Sequence, residues 1–287
     1  MIINILGLKL TIWGKKIPKR EYRFNEEKHI HSLNEKPLKG TTTVIKEVLP
    51  PPLSWYGSGR ACKAMGWYDR KYGRANYLPD KEGMPVLEEA LKGIKQMTSE
   101  EYLKLLDKAY KAHNEYKKSK GDWGKKVHES IEIAIKSAIK DNKGYLLDAE
   151  YENEVVEKFA SWGRGKKFLY SEVHVYSEKL WLGGIIDFIY VYGGKTYLGD
   201  IKTAKSIYAS NFIQAGLYDY QQAENGFFTP DGKKLGESLS LNGYTVVNLP
   251  KEGGIRTKTY YGTKIMGKFS VNLVELYKTK ERLEKFC

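Results

Sequence analysis

Asp187, Asp200 and Lys202 are the residues whose types and spacing could do chemistry. They fall within Gly183-Gly184-Ile185-Ile186-Asp187, a β-branched and aromatic run to Tyr192, the pair Gly193-Gly194, and Tyr197-Leu198-Gly199-Asp200-Ile201-Lys202. A Gly-Gly pair between two apolar, β-prone runs predicts a tight hairpin. Strand side chains alternate between faces, so Asp200 and Lys202 point the same way. A register that brings Asp187 to that face sets two carboxylates beside one ammonium. Such a group can hold a divalent cation and position a water against a phosphate, the chemistry of metal-dependent phosphodiester hydrolysis. The competing reading of Asp187 is a buried ion pair with Lys202, since a lone buried carboxylate is strongly unfavourable.

The elements that must position these residues are legible on either side. Residues 84–142 are largely helical in pattern. Thr98 followed by Glu101 predicts a capping box, and Asp122 predicts the start of a second helix with an apolar stripe of Val127, Ile131, Ala134, Ile135 and Ala138. His128 and Glu132, four apart, share a face of that helix. A helix is expected over 152–163, then strands over 168–177, 182–192 and 195–203. Next comes a helix over 206–224, on which Gln214 and Tyr218 lie one turn apart. Antiparallel strands over 243–249 and 255–261, turned by Gly253-Gly254, and a helix over 268–285 complete the chain. This order predicts an α/β fold, a small central mixed sheet flanked by helices.

Residues 1–49 read as short strands and turns, with Leu6, Leu8, Leu10 and Ile12 alternating, and Pro50-Pro51-Pro52 breaks the chain. The expected organisation is an N-terminal strand-rich β/α extension over 1–52, packed on a core domain over 53–287 that holds the helical segment 84–142 and the C-terminal hairpin and helix.

A length of 287 residues with 41% hydrophobic content can bury a real core. Lys and Arg number 48 against 35 Asp and Glu, a formal charge of +13 that favours a polyanionic partner. Residues 53–78 interleave aromatic and basic side chains, a composition suited to stacking on bases and neutralising phosphates, although aromatics at helical spacing also build cores. Trp55, Arg60, Lys63 and Lys205 are the candidate nucleic-acid contacts. Cys62 and Cys287 are too few for a disulfide framework or a four-cysteine zinc or iron-sulfur site, so no iron-sulfur cluster is expected and a reducing, cytoplasmic setting is. The apolar stretch Ile2–Ile12 is interrupted by Asn4, Lys9 and Thr11, too short to span a membrane and unlike a secretory signal.

Taken in order, Gly124-Lys125-Lys126-Val127-His128-Glu129, Glu172 within Ser-Glu-Val-His-Val, Gly184-Ile-Ile-Asp187, Asp200-Ile-Lys202 and Gln214-Ala-Gly-Leu-Tyr218 resemble the PD-(D/E)XK nucleases, in their RecB-like and phage exonuclease-like branch. The likeness covers residues 121–222, and more loosely Gly40 to Trp55. Ile186 replaces the proline of the family's name, and Asp200 stands for the longer Glu. The resemblance implies a restriction-endonuclease-like core and a metal-dependent deoxyribonuclease. The implied enzyme is a phage-type exonuclease in DNA recombination, repair or end processing, working in a bacterial or phage-infected cell. It implies Mg2+, with Mn2+ able to substitute, held by His128, Asp187, Asp200 and the backbone carbonyl of Ile201. Lys202 would orient or deprotonate the attacking water, and Glu172 would reach the metal directly or through water. Gln214 and Tyr218 would contact the phosphate or hold Lys202. DNA is the implied partner, with a single-strand annealing or recombination protein as a second. A flap or junction endonuclease with the same site, and an inactive DNA-binding protein on the same fold, are the alternatives.

Overall fold

Alternating apolar residues draw short segments into strands, and their pairing builds a mixed sheet. The computed structural model describes residues 21–50, 61, 65, 91–147, 153–251 and 253–287, with the backbone of 2–5 and 8–11. In chain order the strands are β1 (Ile2–Ile5), β2 (Leu8–Thr11), β3 (Tyr22–Asn25), β4 (Ile30–Leu33), β5 (Lys36–Pro37), β6 (Lys39–Gly40), β7 (Lys167–Ser177), β8 (Leu182–Tyr192), β9 (Lys195–Lys202), β10 (Phe227–Phe228), β11 (Lys234–Gly236), β12 (Gly243–Asn248) and β13 (Arg256–Tyr260). The helices are α1 (Thr41–Val48), α2 (Ser99–Asp141), α3 (Glu154–Gly163), α4 (Ala209–Asn225) and α5 (Thr263–Phe286).

The main sheet runs β11-β10-β7-β8-β9-β12-β13, with β6 beside β8. The β7/β8 and β8/β9 pairs are antiparallel, whereas β9/β12 and β6/β8 are parallel. The expected α/β architecture, a mixed sheet flanked by helices, is therefore present. Helices α2 and α3 cover one face, where Val127, Ile131, Ile135 and Phe159 meet Phe168, Phe188 and Tyr190. Helix α4 covers the other, setting Ala215 and Tyr218 against Val173, Ile186, Leu198 and Tyr244. Val127, Ile131 and Ile135 recur every four residues and are fully buried, each stabilising the docked helix by about 1.5–3 kcal/mol.

Two helices differ from the sequence reading. Residues 41–48, expected as strands and turns, form α1, because burying Val44 and Ile45 against Ile213, Leu273 and Val274 outweighs the strand preference of Thr-Thr-Thr-Val-Ile. Asp122 does not begin a helix. The capping box at Thr98 opens α2, with Thr98 Oγ1 accepting from the Glu101 N–H and Glu101 Oε2 accepting from the Thr98 N–H at 2.8 Å. The helix then runs 43 residues without a break. It passes through Gly121 and Gly124, interior glycines that each cost about 1 kcal/mol relative to alanine. Gly124 has a reason within the fold: a methyl group there would lie 3.1 Å from Thr203 Oγ1. Gly121 has none among the described residues, where a methyl would meet nothing within 4 Å.

Candidate metal centre

The β8/β9 ladder runs from Tyr192 opposite Lys195 to Phe188 opposite Gly199, and stops. Asp187 and Asp200 are the next residues on each strand, so the two acids stand where the hairpin forks. Past the fork β9 stays parallel to β12 as far as Lys202 beside Asn248. The Asp187 carboxylate takes over from the ladder, its Oδ2 accepting the Ile201 N–H at 2.5 Å. Convergence of the two acids thus comes from a fork held by a side chain rather than from continued backbone pairing.

Across β8, the pairs Ser171/Phe188 and Val173/Ile186 set Glu172 opposite Asp187. Alternation slips on both strands at this point. Ile186 packs on the α4 face and Phe188 on the α2 face, although they are two residues apart; Tyr170 and Val173 share the α4 face, although they are three apart. Glu172 absorbs the slip on β7 with φ of 48°. That left-handed conformation is strained for a residue with a side chain, and such strain gathers at functional sites.

From α2, His128 completes the group: one ligand atom each of His128, Glu172 and Asp187 lie within 4.8 Å of one another. His128 Nδ1 stands 3.6 Å from Asp187 Oδ1, too far for a hydrogen bond but close enough for strong attraction. Two ionised carboxylates at the separation of this cluster repel by roughly 3 kcal/mol. Protonation answers that repulsion. Burial, then the Asp187 charge, pushes Glu172 up to about 8. Burial pulls the His128 ring down, but the Asp187 carboxylate outweighs it and raises the imidazolium to about 9. Asp187 is half-buried, which works against its charge, yet His128, Lys202 and the Ile201 N–H keep it below the usual carboxylate range.

Asp200 is buried beside this triad. Its Oδ1 accepts from Lys202 Nζ at 2.6 Å, while its Oδ2, among the described residues, has no partner. Burial raises Asp200 to about 6, with Lys202 opposing and Asp187 adding to the shift. Burial works against the charge on Lys202, but Asp200 and Asp187 hold it above the ordinary lysine value, so it is an ammonium.

This donor set fits a divalent cation. It offers anionic oxygens and one imidazole around mutually repelling acids, with an orphaned carboxylate oxygen alongside, and a nitrogen ligand suits Mn2+ better than Mg2+. The ranking of the acids differs from the sequence reading. Glu172 joins His128 and Asp187 in the tight triad, and Asp200 stands aside, tied to Lys202. Ile201 contributes its N–H to Asp187 and its side chain to the core.

Gln214 and Tyr218 are buried on α4, where Gln214 Nε2 donates to Tyr218 Oη at 2.7 Å; Lys202 is held by Asp200 and not by Gln214. Tyr218 packs so closely on Gly184 that a methyl there would lie 2.4 Å from its ring, and the three carboxylates lie near enough to raise its hydroxyl pKa further after burial. Glu132 pairs with Lys136 and adds negative charge near Glu172. Lys205 is exposed in the turn after β9. Trp55, Arg60 and Lys63 lie outside the described residues.

Sequence reasoning assigned nothing to His31 or His174, yet both are buried. The Tyr22 hydroxyl bridges His31 Nδ1 at 2.6 Å and His174 Nδ1 at 3.1 Å. The only sequence signal was the alternation of Tyr22 and Phe24 on β3 against His31 and Leu33 on β4.

No family model matches the chain, and no curated protein does. Among solved structures, a protein described only as SSO0001 is similar over 53% of this chain and 58% of its own length, at 14% identity and a TM-score of 0.29. The matched part is thus under two thirds of that chain, and a likeness so slight carries no argument about fold or function. Among the described residues, no helix is long and apolar enough to cross a membrane.

Proposed function

We propose that this chain is a divalent-metal-dependent DNA nuclease built on a PD-(D/E)XK-like core. The observation that carries the reading is the forked hairpin: Asp187, Asp200 and Lys202 stand together at its open end, with His128 and Glu172 closing on Asp187 from two other elements. A structural ion pair alone does not account for the group. Lys202 neutralises Asp200, but Glu172 and Asp187 still face each other and Asp200 Oδ2 has no partner.

His128, Glu172 and Asp187 would hold the cation, with Asp200 adjacent. When bound, such an ion supplies Lewis-acid polarisation of a phosphoryl oxygen and an acidified water. The chain's own residues do the rest. Lys202, kept as an ammonium by two carboxylates, donates hydrogen bonds: it orients a water or stabilises charge developing on phosphate, and it is not the base. Asp200 fixes that ammonium in place at 2.6 Å. Tyr218, braced by Gln214, closes the α4 side with a hydroxyl that stays protonated. Because His128 must be neutral to act as a ligand, cation affinity rises with pH.

The exonuclease reading rests on the family resemblance, and circular DNA separates it from an endonuclease because only an exonuclease needs an end. In the test, end-labelled linear, single-stranded and circular DNA are incubated with Mg2+, Mn2+ or Ca2+. Asp200→Ala and Lys202→Ala should abolish cleavage while retaining DNA at low salt, chelation should stop the wild type, and Ca2+ should support binding without turnover. Full activity in either variant would sink the proposal. A wild type that binds DNA but cleaves under no cation makes the chain a binding protein on this fold.

A further inference from the structure

We infer that the part of α2 between Asn114 and Lys126 is the surface that leads a nucleic-acid backbone into the metal centre, an inference that rests on the nuclease reading. Gly124, Gly121, Lys117 and Asn114 precede His128 by four, seven, eleven and fourteen residues and so continue its face of the helix. The fully buried stripe that seats α2 on the sheet runs from Ile135 back to Val127. At Gly124 the helix touches Thr203, the residue after Lys202, and one turn further, at Gly121, its face meets open space among the described residues. The helix therefore runs on beyond its contact with the end of β9, and exposed Lys205 lies two residues after Thr203.

Charge along α2 is uneven in an informative way. Elsewhere on the helix three of five lysines are neutralised one turn away, Lys104 by Glu100 at 2.7 Å, Lys111 by Asp107 at 2.7 Å, and Lys136 by Glu132, while Lys108 and Lys140 stand singly among the described residues. Residues 117–126 hold five lysines and one aspartate, all of these exposed. Among the described residues, Lys117, Lys118, Lys120 and Lys126 have no ion-pair partner, and Lys125 has only Glu129 at 3.8 Å. The rest of α2 mixes acids among its lysines, whereas 114–126 sets five lysines against Glu115 and Asp122. An uncompensated basic block thus flanks a helix backbone bared by Gly121, which the fold's own packing does not require. Bare backbone lets a polymer approach closely.

From Lys117 to His128 the helix rises roughly 16 Å, the span of about five phosphates along one strand of a duplex. The row ends at a site read as taking a phosphodiester, so a row of phosphates is the anion that fits both.

The test measures anisotropy of a fluorescein-labelled duplex and single strand against NaCl concentration, in Ca2+. The variant Lys117→Glu/Lys118→Glu/Lys120→Glu is compared with Lys104→Glu/Lys111→Glu, which reverses paired lysines of the same helix. The first should weaken binding by at least tenfold and flatten the salt slope by about 2–3, and the second should stay within about threefold. Gly121→Leu should keep or raise Tm while weakening binding several-fold; a glycine without this role gives the Tm gain and unchanged binding. Equal effects of the two charge variants, displacement by polyglutamate as effective as by DNA, or no wild-type binding at low salt each overturn the inference. Cleavage by the same proteins keeps the two readings apart. Lysine-dependent binding without any cleavage leaves this surface standing and removes the nuclease, whereas cleavage with lysine-independent binding does the reverse.

Discussion

Two groups of titratable side chains, one half-buried and one buried, are carried by residues two apart on β7, and they are built on opposite principles. Around Glu172, carboxylates crowd together on a strained backbone, one Asp200 oxygen has no partner, and protons are held far from their usual pH. Around His174, the Tyr22 hydroxyl satisfies Nδ1 of both histidines, and burial, then neighbouring histidines, lowers His31 to about 3 and His174 to about 4. The second group is neutral and complete. A buried histidine is thus no sign of function by itself; what marks a candidate site is charge that the protein leaves uncompensated.

The largest effect expected from breaking this contrast is on cleavage. Glu172→Gln removes the charge that Glu172 takes on as pH rises through about 8, so metal-free Tm above that pH should rise while cleavage at limiting Mn2+ falls on the order of a hundredfold; unchanged cleavage would remove Glu172 from the site. Next, Tyr22→Phe leaves both histidine Nδ1 atoms without their shared partner and should destabilise the fold by about 1–3 kcal/mol. Cleavage by the variant at 25 °C should be intact, and a loss of activity without a loss of Tm would join the two groups functionally.

The smallest effect is in the pH dependence of Tm, measured in chelator. His31 and His174 have lowered folded values, so their contribution is full above about 6.5 and is lost as pH falls and the unfolded chain protonates first. Glu172 and His128 have raised folded values, so theirs is full only below about 4.5 and about 6.5 and is lost as pH rises from there to about 8 and about 9. Tm should therefore fall on both sides of about 6.5, and Glu172→Gln should flatten the alkaline limb up to about 8 and steepen the acid limb. A variant that tracks the wild type throughout refutes the assignment.

Local features were the legible ones. Gly193-Gly194 defined the hairpin, and Thr98 with Glu101 defined the start of α2, because turns and caps are decided within a few residues. The strand face of Glu172 was not legible, since alternation presumes a regular strand and the slip at Glu172 depends on packing from both sides of the sheet. The parallel pairing of β9 with β12 brings together residues some forty-six apart, and nothing in either strand announces the partner. Asp122 has the chemistry of a helix start, but the helix opened by the Thr98 capping box runs straight through it. The Tyr22–His174 contact joins residues 152 positions apart and left no trace in spacing.

The backbone of Glu172 has an evolutionary consequence. At φ of 48° glycine is the residue least penalised, and glycine would also delete the charge that confronts Asp187. Fold and site thus favour different residues at this position. A mutant library sorted on heat resistance alone is expected to enrich Glu172→Gly, and one sorted on DNA cleavage to return the acid, so the two selections should diverge here more than at any core position.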